Sequence, residues 1–373
     1  MSGVLRPTSI ASKQKTSIKR EKSLREDNTM KSLLVSAVVL AVTSGAVAAQ
    51  DMLPIRIGAA GAVDHAPVFA GVERGIFAEH GLDADVVMYQ SGVDMVNGLL
   101  NGAQEVNVMG SVPYLTGLAR GFPLVLIGHL HGDPNRDSYS DNQSIIASAG
   151  SGVAAGDIAA LEGKRIGLPR GTGAEGFLLG VLGSIDLGED DVELINVPPA
   201  ELVTALNQGD VDAVAIWQPW GATAVTQVEG AVLVQAGGCP QCYDPGTILT
   251  TEDQVSDNAE TLERFMAAFA ESQAWVRANN DAAAEINMRW IQGVELETMA
   301  LALDSVSLDP RISSYTSDMY QAKTLPFLMG LGRIDEAFDP SSAIDTRFLA
   351  AAEESNPEAF ADLAPIPADR QAY

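Results

Sequence analysis

One pattern occurs twice along this chain, and it limits the folds open to it. Each copy opens on Arg-Ile-Gly, passes a Gly-rich turn and an apolar helix, and reaches a Leu-Asn segment followed by a Gly-x-x-acid exit. Each then enters another strand and a turn in which Pro precedes an aromatic. The first copy runs from Arg56-Ile57-Gly58 through Leu100-Asn101-Gly102 and Glu105 to Pro113-Tyr114. The second runs from Arg165-Ile166-Gly167 through Leu206-Asn207, Gly209 and Asp212 to Trp217-Gln218-Pro219-Trp220. The offset, Arg56 to Arg165, is too long for a solenoid repeat and suits two α/β lobes built alike. Two such lobes imply a cleft, and the cleft is where a ligand is expected.

The N-terminal part reads as a leader. Met30-Lys31 gives a second start, Leu33–Val42 is apolar, and Ala46-Val47-Ala48 is a small-x-small cleavage pattern. This is the signature of a secretory signal peptide, with an apolar core too short for a spanning helix. Residues 1–48 carry eight of the 23 Lys+Arg and three of the 49 Asp+Glu, leaving 15 basic against 46 acidic, a net charge of −31. Such a surface argues against nucleic acid or an anionic membrane as partner and suits solubility in a salty medium. The cleaved leader points to export to the periplasm, and the product is expected to be a monomer. Cys239 and Cys242, in Cys-Pro-Gln-Cys, are expected to form a short-loop disulfide in that compartment. A redox pair would need a βαβ start that is missing around it, and zinc would need two further ligands.

The coarse pattern is a βαβ alternation in which short apolar strands are interleaved with helices. Expected elements include strand 55–59, helix 67–80, strand 84–89, strand 143–148 and strand 165–168. Helices 174–185 and 219–227 and strand 247–251 follow, then a helical C-terminal part over 256–278, 280–291, 295–302 and 315–330. Leu262, Phe265, Met266, Phe269 and Trp275 fall at helical spacing and read as core. Crossings between lobes are expected near 148–156 and 236–246. The organisation is then leader 1–48 with Met30 as the true start, lobe I from 49–148 plus 246–373, and lobe II from 149–245. A hinged pair of this kind closes by rotation.

Strand ends face the crevice in an open α/β sheet, so the turns after strands are the candidate ligand sites. Arg170 to Gly176 joins a strand to an apolar helix. Free N–H groups at Gly173 and Ala174 and the Thr172 hydroxyl make either an anion site or a tight turn that needs glycine. Asp64 and His65 sit in the matching turn of lobe I, where they also make good capping residues. Ser91-Gly92 and Ser111 occupy further strand ends. Trp217 and Trp220 offer a flat apolar wall, and Gln218 an amide that donates and accepts. His129 and His131 lack the convergent partners of a metal site. No Ser-His-Asp order, nucleophile elbow or HExxH occurs, so neither metal, cofactor nor catalytic residue is expected.

Several stretches carry a family resemblance. These are IGAAGAVDHAPVFAGVERGIFAEHGLD, GLLNGAQEVNVMGSVPYLTGLARG, LEGKRIGLPRGTGAEGFLLGVL and ELVTALNQGDVDAVAIWQPW. Together with the leader they resemble the nitrate/sulfonate/taurine group of ABC-transporter substrate-binding proteins, which includes binders of thiamine-precursor pyrimidines and is similar to the pyrimidine-synthase-like fold. The resemblance covers nearly all of 53–330. It implies an α/β, two-lobed periplasmic-binding-protein fold of type II, with two hinge crossovers. It also implies partnership with a membrane permease and its ATPase. By position it places Asp64, His65, Ser91, Ser111, Thr172, Gly173, Ala174, Trp217 and Gln218 on the cleft, with Tyr243 and Asp244 beside them. Gln218 stands where many relatives have an acid, and a neutral amide tolerates an anion. The expected ligand is therefore a small organic anion such as a taurine-like sulfonate. The alternatives are a pyrimidine or other heteroaromatic precursor, or an enzyme on the same fold, a desulfinase or pyrimidine-forming protein.

Overall fold

The computed structural model describes residues 52–371; the leader expected over 1–48 lies outside them. Among the described residues the strands are, in chain order, β1 (Leu53–Ala60), β2 (Leu82–Tyr89), β3 (Val106–Gly110), β4 (Leu124–His131), β5 (Gln143–Ala147), β6 (Arg165–Leu168), β7 (Glu193–Asn196), β8 (Ala213–Trp217), β9 (Val232–Ala236) and β10 (Gly246–Thr251). They build two five-stranded sheets, ordered β2-β1-β3-β10-β4 and β7-β6-β8-β5-β9. In each, the first three strands are parallel and the fourth runs antiparallel to both neighbours.

The sequence repeat is the start of this frame in each sheet. Arg56 opens the buried stretch of β1 and clamps Glu105, just before β3. Its backbone N donates to Glu105 Oε2 at 2.7 Å, its Nε donates at 3.2 Å, and a further guanidinium contact reaches Oε1. Arg165 repeats the device on Asp212, with its N at 3.0 Å and Nε at 3.2 Å from Oδ2, and a terminal guanidinium nitrogen at 2.9 Å from Oδ1. The register follows, pairing Ile57 with Val106 in one sheet and Ile166 with Ala213 in the other. A bidentate Arg–carboxylate pair has a fixed geometry, so it sets register as well as adding attraction.

Each sheet's antiparallel strand is the one that follows a crossing between sheets. β10 returns from the second sheet and lies between β3 and β4. β5 enters the second sheet and lies between β8 and β9. The first crossing therefore spans 132–142, not the expected 148–156. Every residue of β5 is buried and needs strand partners on both sides, whereas 150–156 is a mostly exposed connection within the second half. The boundary placed at 148 thus moves to the polar, turn-forming stretch before Gln143. The second crossing spans 237–245. The two crossings touch: Tyr139 and Tyr243 form a parallel bridge, with Tyr139 N donating to Cys242 O at 3.0 Å and Asp244 N to Tyr139 O at 2.9 Å. Cys239 and Cys242 are disulfide-bonded in the second crossing.

Helices flank both sheets. The helix expected over 67–80 is split into Ala66–Glu73 and Ile76–Glu79, because Gly75 adopts φ 77° and breaks the turn. Leu262, Phe265, Met266 and Phe269 of the long helix Ala259–Ala278 are fully buried, while Trp275 is partly buried under the Arg74 guanidinium, 4.9 Å from the ring centroid. The helical run over 315–330 contains a π turn at Tyr320–Thr324.

Candidate functional site

The carboxyl ends of parallel strands β1, β3, β6 and β8 meet at one place with the beginning of β5 and the end of the second crossing. Between them is a cavity of about 50 Å³. Of the expected residues, Asp64, His65, Gly92, Thr172, Gly173 and Trp217 line it. Asn142, Gln143 and Asp244 line it as well, together with the apolar Met95, Met109 and Pro113. No Lys or Arg is among the lining residues.

Asp64 is the centre of the charged half. Its Oδ2 lies 3.1 Å from His131 Nε2 and 3.9 Å from His65 Nε2, while Oδ1 is buried without a hydrogen-bond partner among the described residues. The tautomers follow from the other ring nitrogens. His131 Nδ1 accepts from Gly246 N at 3.3 Å, so its Nε2–H is the group that faces Asp64. His65 Nδ1 accepts from Ala60 N at 2.9 Å in the same way. Burial by itself would raise the Asp64 carboxyl, but electrostatic attraction to the His131 ring and the hydrogen bond with it outweigh that and hold Asp64 below the usual range. Burial pushes His65 down to about 4, against the pull of Asp64, so the ring is neutral at pH 7.

The second carboxylate changes the reading of the Arg170–Gly176 turn. Asp244 Oδ1 accepts from Ser111 N at 2.9 Å and Ser111 Oγ at 2.7 Å. Its other oxygen lies over Gly173, the first residue of the helix Gly173–Gly183, so closely that a Cβ there would stand 1.8 Å away. The helix start expected to hold a ligand oxyanion is thus faced by the protein's own carboxylate, in the position that the helix dipole favours. Burial raises the Asp244 carboxyl despite the bonds from Ser111. Replacing Gly173 with Ala is expected to displace Asp244 and lower stability by about 1–3 kcal/mol, read as a fall in the urea midpoint.

The remaining expected residues lie outside the cavity lining. The Ser111 hydroxyl is used on Asp244, and Ser91 Oγ donates to Asp94 Oδ2 at 3.0 Å. Ala174 is packed in the core. Gln218 Oε1 accepts from Ala222 N at 2.9 Å and so serves the helix that follows it. Trp220 Nε1 donates to Gly61 O at 2.7 Å, and Val63 N donates to Gln218 O at 3.0 Å, so this turn joins the first sheet's loop to the second. Tyr243 packs its ring edge-on to Tyr320, with centroids 5.5 Å apart.

In the sequence Asn142 reads as the end of a polar turn and Gln143 as the first residue of a short strand, and neither reading points to a ligand. The register that sets Gln143 opposite Trp217 is invisible without the sheet. In the sequence His131 offers only a metal-ligand reading, and its place beside Asp64 depends on contacts far apart in sequence. Among the described residues, no group of three His, Cys, Asp or Glu could hold a metal ion. No helix among them is long and apolar enough to cross a membrane.

Two five-stranded α/β sheets joined by two crossings, with a polar cavity at the join and a helical C-terminal part, define the periplasmic-binding-protein fold. A family model described as NMT1/THI5 like matches residues 62–283, more than half of the chain, and the chain belongs to that family. It is 28% identical to a protein of Brucella abortus named as a "putative binding protein", over 73% of this chain and 83% of that one. It is 26% identical to the "putative aliphatic sulfonates-binding protein" of Bacillus subtilis, over 87% and 96%. Among solved structures it is similar to the alkanesulfonate-binding protein SsuA from Xanthomonas axonopodis pv. citri bound to MOPS. That match has a TM-score of 0.69 and 19% identity, covering 79% of this chain and 99% of the other. This last likeness bears on fold alone.

Proposed function

We propose that the protein is the periplasmic solute-binding component of an ABC-type importer, which captures a small solute at the join of its two lobes and delivers it to a membrane permease. The relatives' names as binding proteins and the paired crossings support this reading. A neutral His65 held by Ala60 N, with no nucleophile activated beside it, supports binding over turnover.

The observation that carries the ligand class is Asp64 Oδ1, a buried carboxylate oxygen without a partner at a cavity lined by a second carboxylate and no cation. A buried anion in this state calls for a hydrogen-bond donor or a positive charge. The solute therefore carries a protonated amine or another donor-bearing nitrogen. This reading narrows the expected sulfonate to an amino-sulfonate of the taurine kind, whose ammonium would face Asp64, and it keeps an amino-substituted pyrimidine as the second fit. An alkanesulfonate or nitrate would bring only acceptors.

A thermal-shift panel separates these. Taurine or an aminopyrimidine, at about 100 times its Kd, is expected to stabilise the protein by about 2.7 kcal/mol, with ethanesulfonate and nitrate inert. A shift produced by nitrate or ethanesulfonate, with none from any amine, would overturn the assignment. Consumption of the bound solute would move the protein to the enzyme class.

A further inference from the structure

Next to the inner cavity lies a larger groove of about 300 Å³, and the two share Pro113 and Thr172 in their walls. Its chemistry is the reverse of its neighbour's. Apolar side chains from the first sheet's helices, among them Val93, Val96 and Val112, face Phe327 and Leu331 of the C-terminal part. Three arginines, Arg120, Arg170 and Arg333, complete the lining, with Glu175 as the one acid.

The charges do not cancel. Glu175 is buried and takes Arg170 Nε at 2.7 Å, Gly171 N at 2.7 Å and a contact from Arg333. Glu189 takes a further Arg170 contact from outside the lining. Arg120 is exposed, and among the described residues no ion pair holds it. Arg333 Nε is buried and has no hydrogen-bond partner among the described residues. The groove thus keeps a free guanidinium and an orphaned donor on a protein of net charge −26. Guanidinium donors match carboxylate, sulfonate and phosphate oxygens, while the apolar walls match a hydrocarbon body.

We propose that this groove is a second subsite of the cleft, taking an anionic group at the end of an apolar spacer. The ligand then spans both compartments, with its nitrogen at Asp64 and its anion at Arg120 and Arg333. This rests on the solute-binding reading above and specifies the solute as an extended zwitterion, an ω-amino sulfonate or carboxylate longer than taurine.

The test is calorimetric titration with ω-amino sulfonates of increasing chain length, each matched to the alkylamine of equal length, and with hexanesulfonate as a probe of the groove alone. The proteins are the wild type, Arg120→Gln, Arg120→Lys and Asp64→Asn. Beyond a threshold length the zwitterion is expected to bind on the order of tenfold more tightly than its matched amine, an increment that falls with added salt. Arg120→Gln should abolish that increment and leave alkylamine affinity unchanged, and Arg120→Lys should restore part of it. An increment untouched by Arg120→Gln, or an equal loss for amine and zwitterion, overturns the subsite. Failure of the inner-site reading looks different: amines would not bind and Asp64→Asn would change nothing, while hexanesulfonate would still respond to Arg120→Gln.

Discussion

Asp64→Asn is expected to weaken solute binding by about 100-fold or more, since removing one partner of a buried, hydrogen-bonded charge pair costs about 2–5 kcal/mol. The substitution keeps the volume and one acceptor but removes the charge beside His131. His131 Nε2–H then faces a neutral amide, and the fold is expected to lose about 1–3 kcal/mol. Calorimetric titration and urea unfolding on the same variant separate the two effects. Asp244→Asn gives the contrast, because Asp244 already accepts from Ser111 and lies at a helix start. Its loss is expected to fall more on stability than on affinity. Equal solute affinity in wild type and Asp64→Asn would show that Asp64 Oδ1 is not the ligand's anchor.

Acid is expected to destabilise the protein at a pH well above the ordinary carboxylate range. His65 and His129 are buried, and burial pushes them down to about 4 and about 3. In the unfolded chain each titrates near pH 6.5. Between pH 6.5 and pH 4 the unfolded state therefore binds protons that the folded state refuses, and stability rises with pH across that window. The contribution is fully present above pH 6.5 and drains away as the pH falls, on the order of 3–5 kcal/mol for each ring. Asp64, held low, keeps its own contribution until the pH falls below its unfolded value, outside this window. Asp244 is raised, so its contribution has the opposite sign: it is present in acid and lost as the pH rises, which opposes the slope of the two rings. Urea midpoints measured from pH 7.5 to pH 4.5 should fall steeply, and His129→Gln should flatten the curve. A flat profile in the wild type would mean that both rings titrate normally.

The duplicated pattern carried the frame in its residues. Arg56 with Glu105 and Arg165 with Asp212 are near enough in sequence, and chemically specific enough, that their repetition announced two matching sheets. Alternating apolar runs supplied most strands and helices for the same reason, since periodicity is a local property. The small residues at 150–156 resemble a linker in the sequence, whereas the pairing of β5 with β8 and β9 puts the crossing before Gln143.

The cleft was legible only as a set of positions. Sequence located Asp64, His65, Thr172, Gly173 and Trp217 at strand ends, where ligands bind in such sheets. It could not say which groups were already engaged. Ser111 is a strand-end hydroxyl and the Gly173 turn a candidate anion site in the sequence, yet both face Asp244, more than sixty residues away in the chain. Gln218 looked like a ligand amide but serves Ala222. Sequence alone determined the two-lobed architecture and the neighbourhood of the candidate site, because those follow from local pattern and its repetition. Tertiary structure decided the sign of the site, because whether a buried polar atom is free or satisfied depends on partners that only folding brings within hydrogen-bond reach.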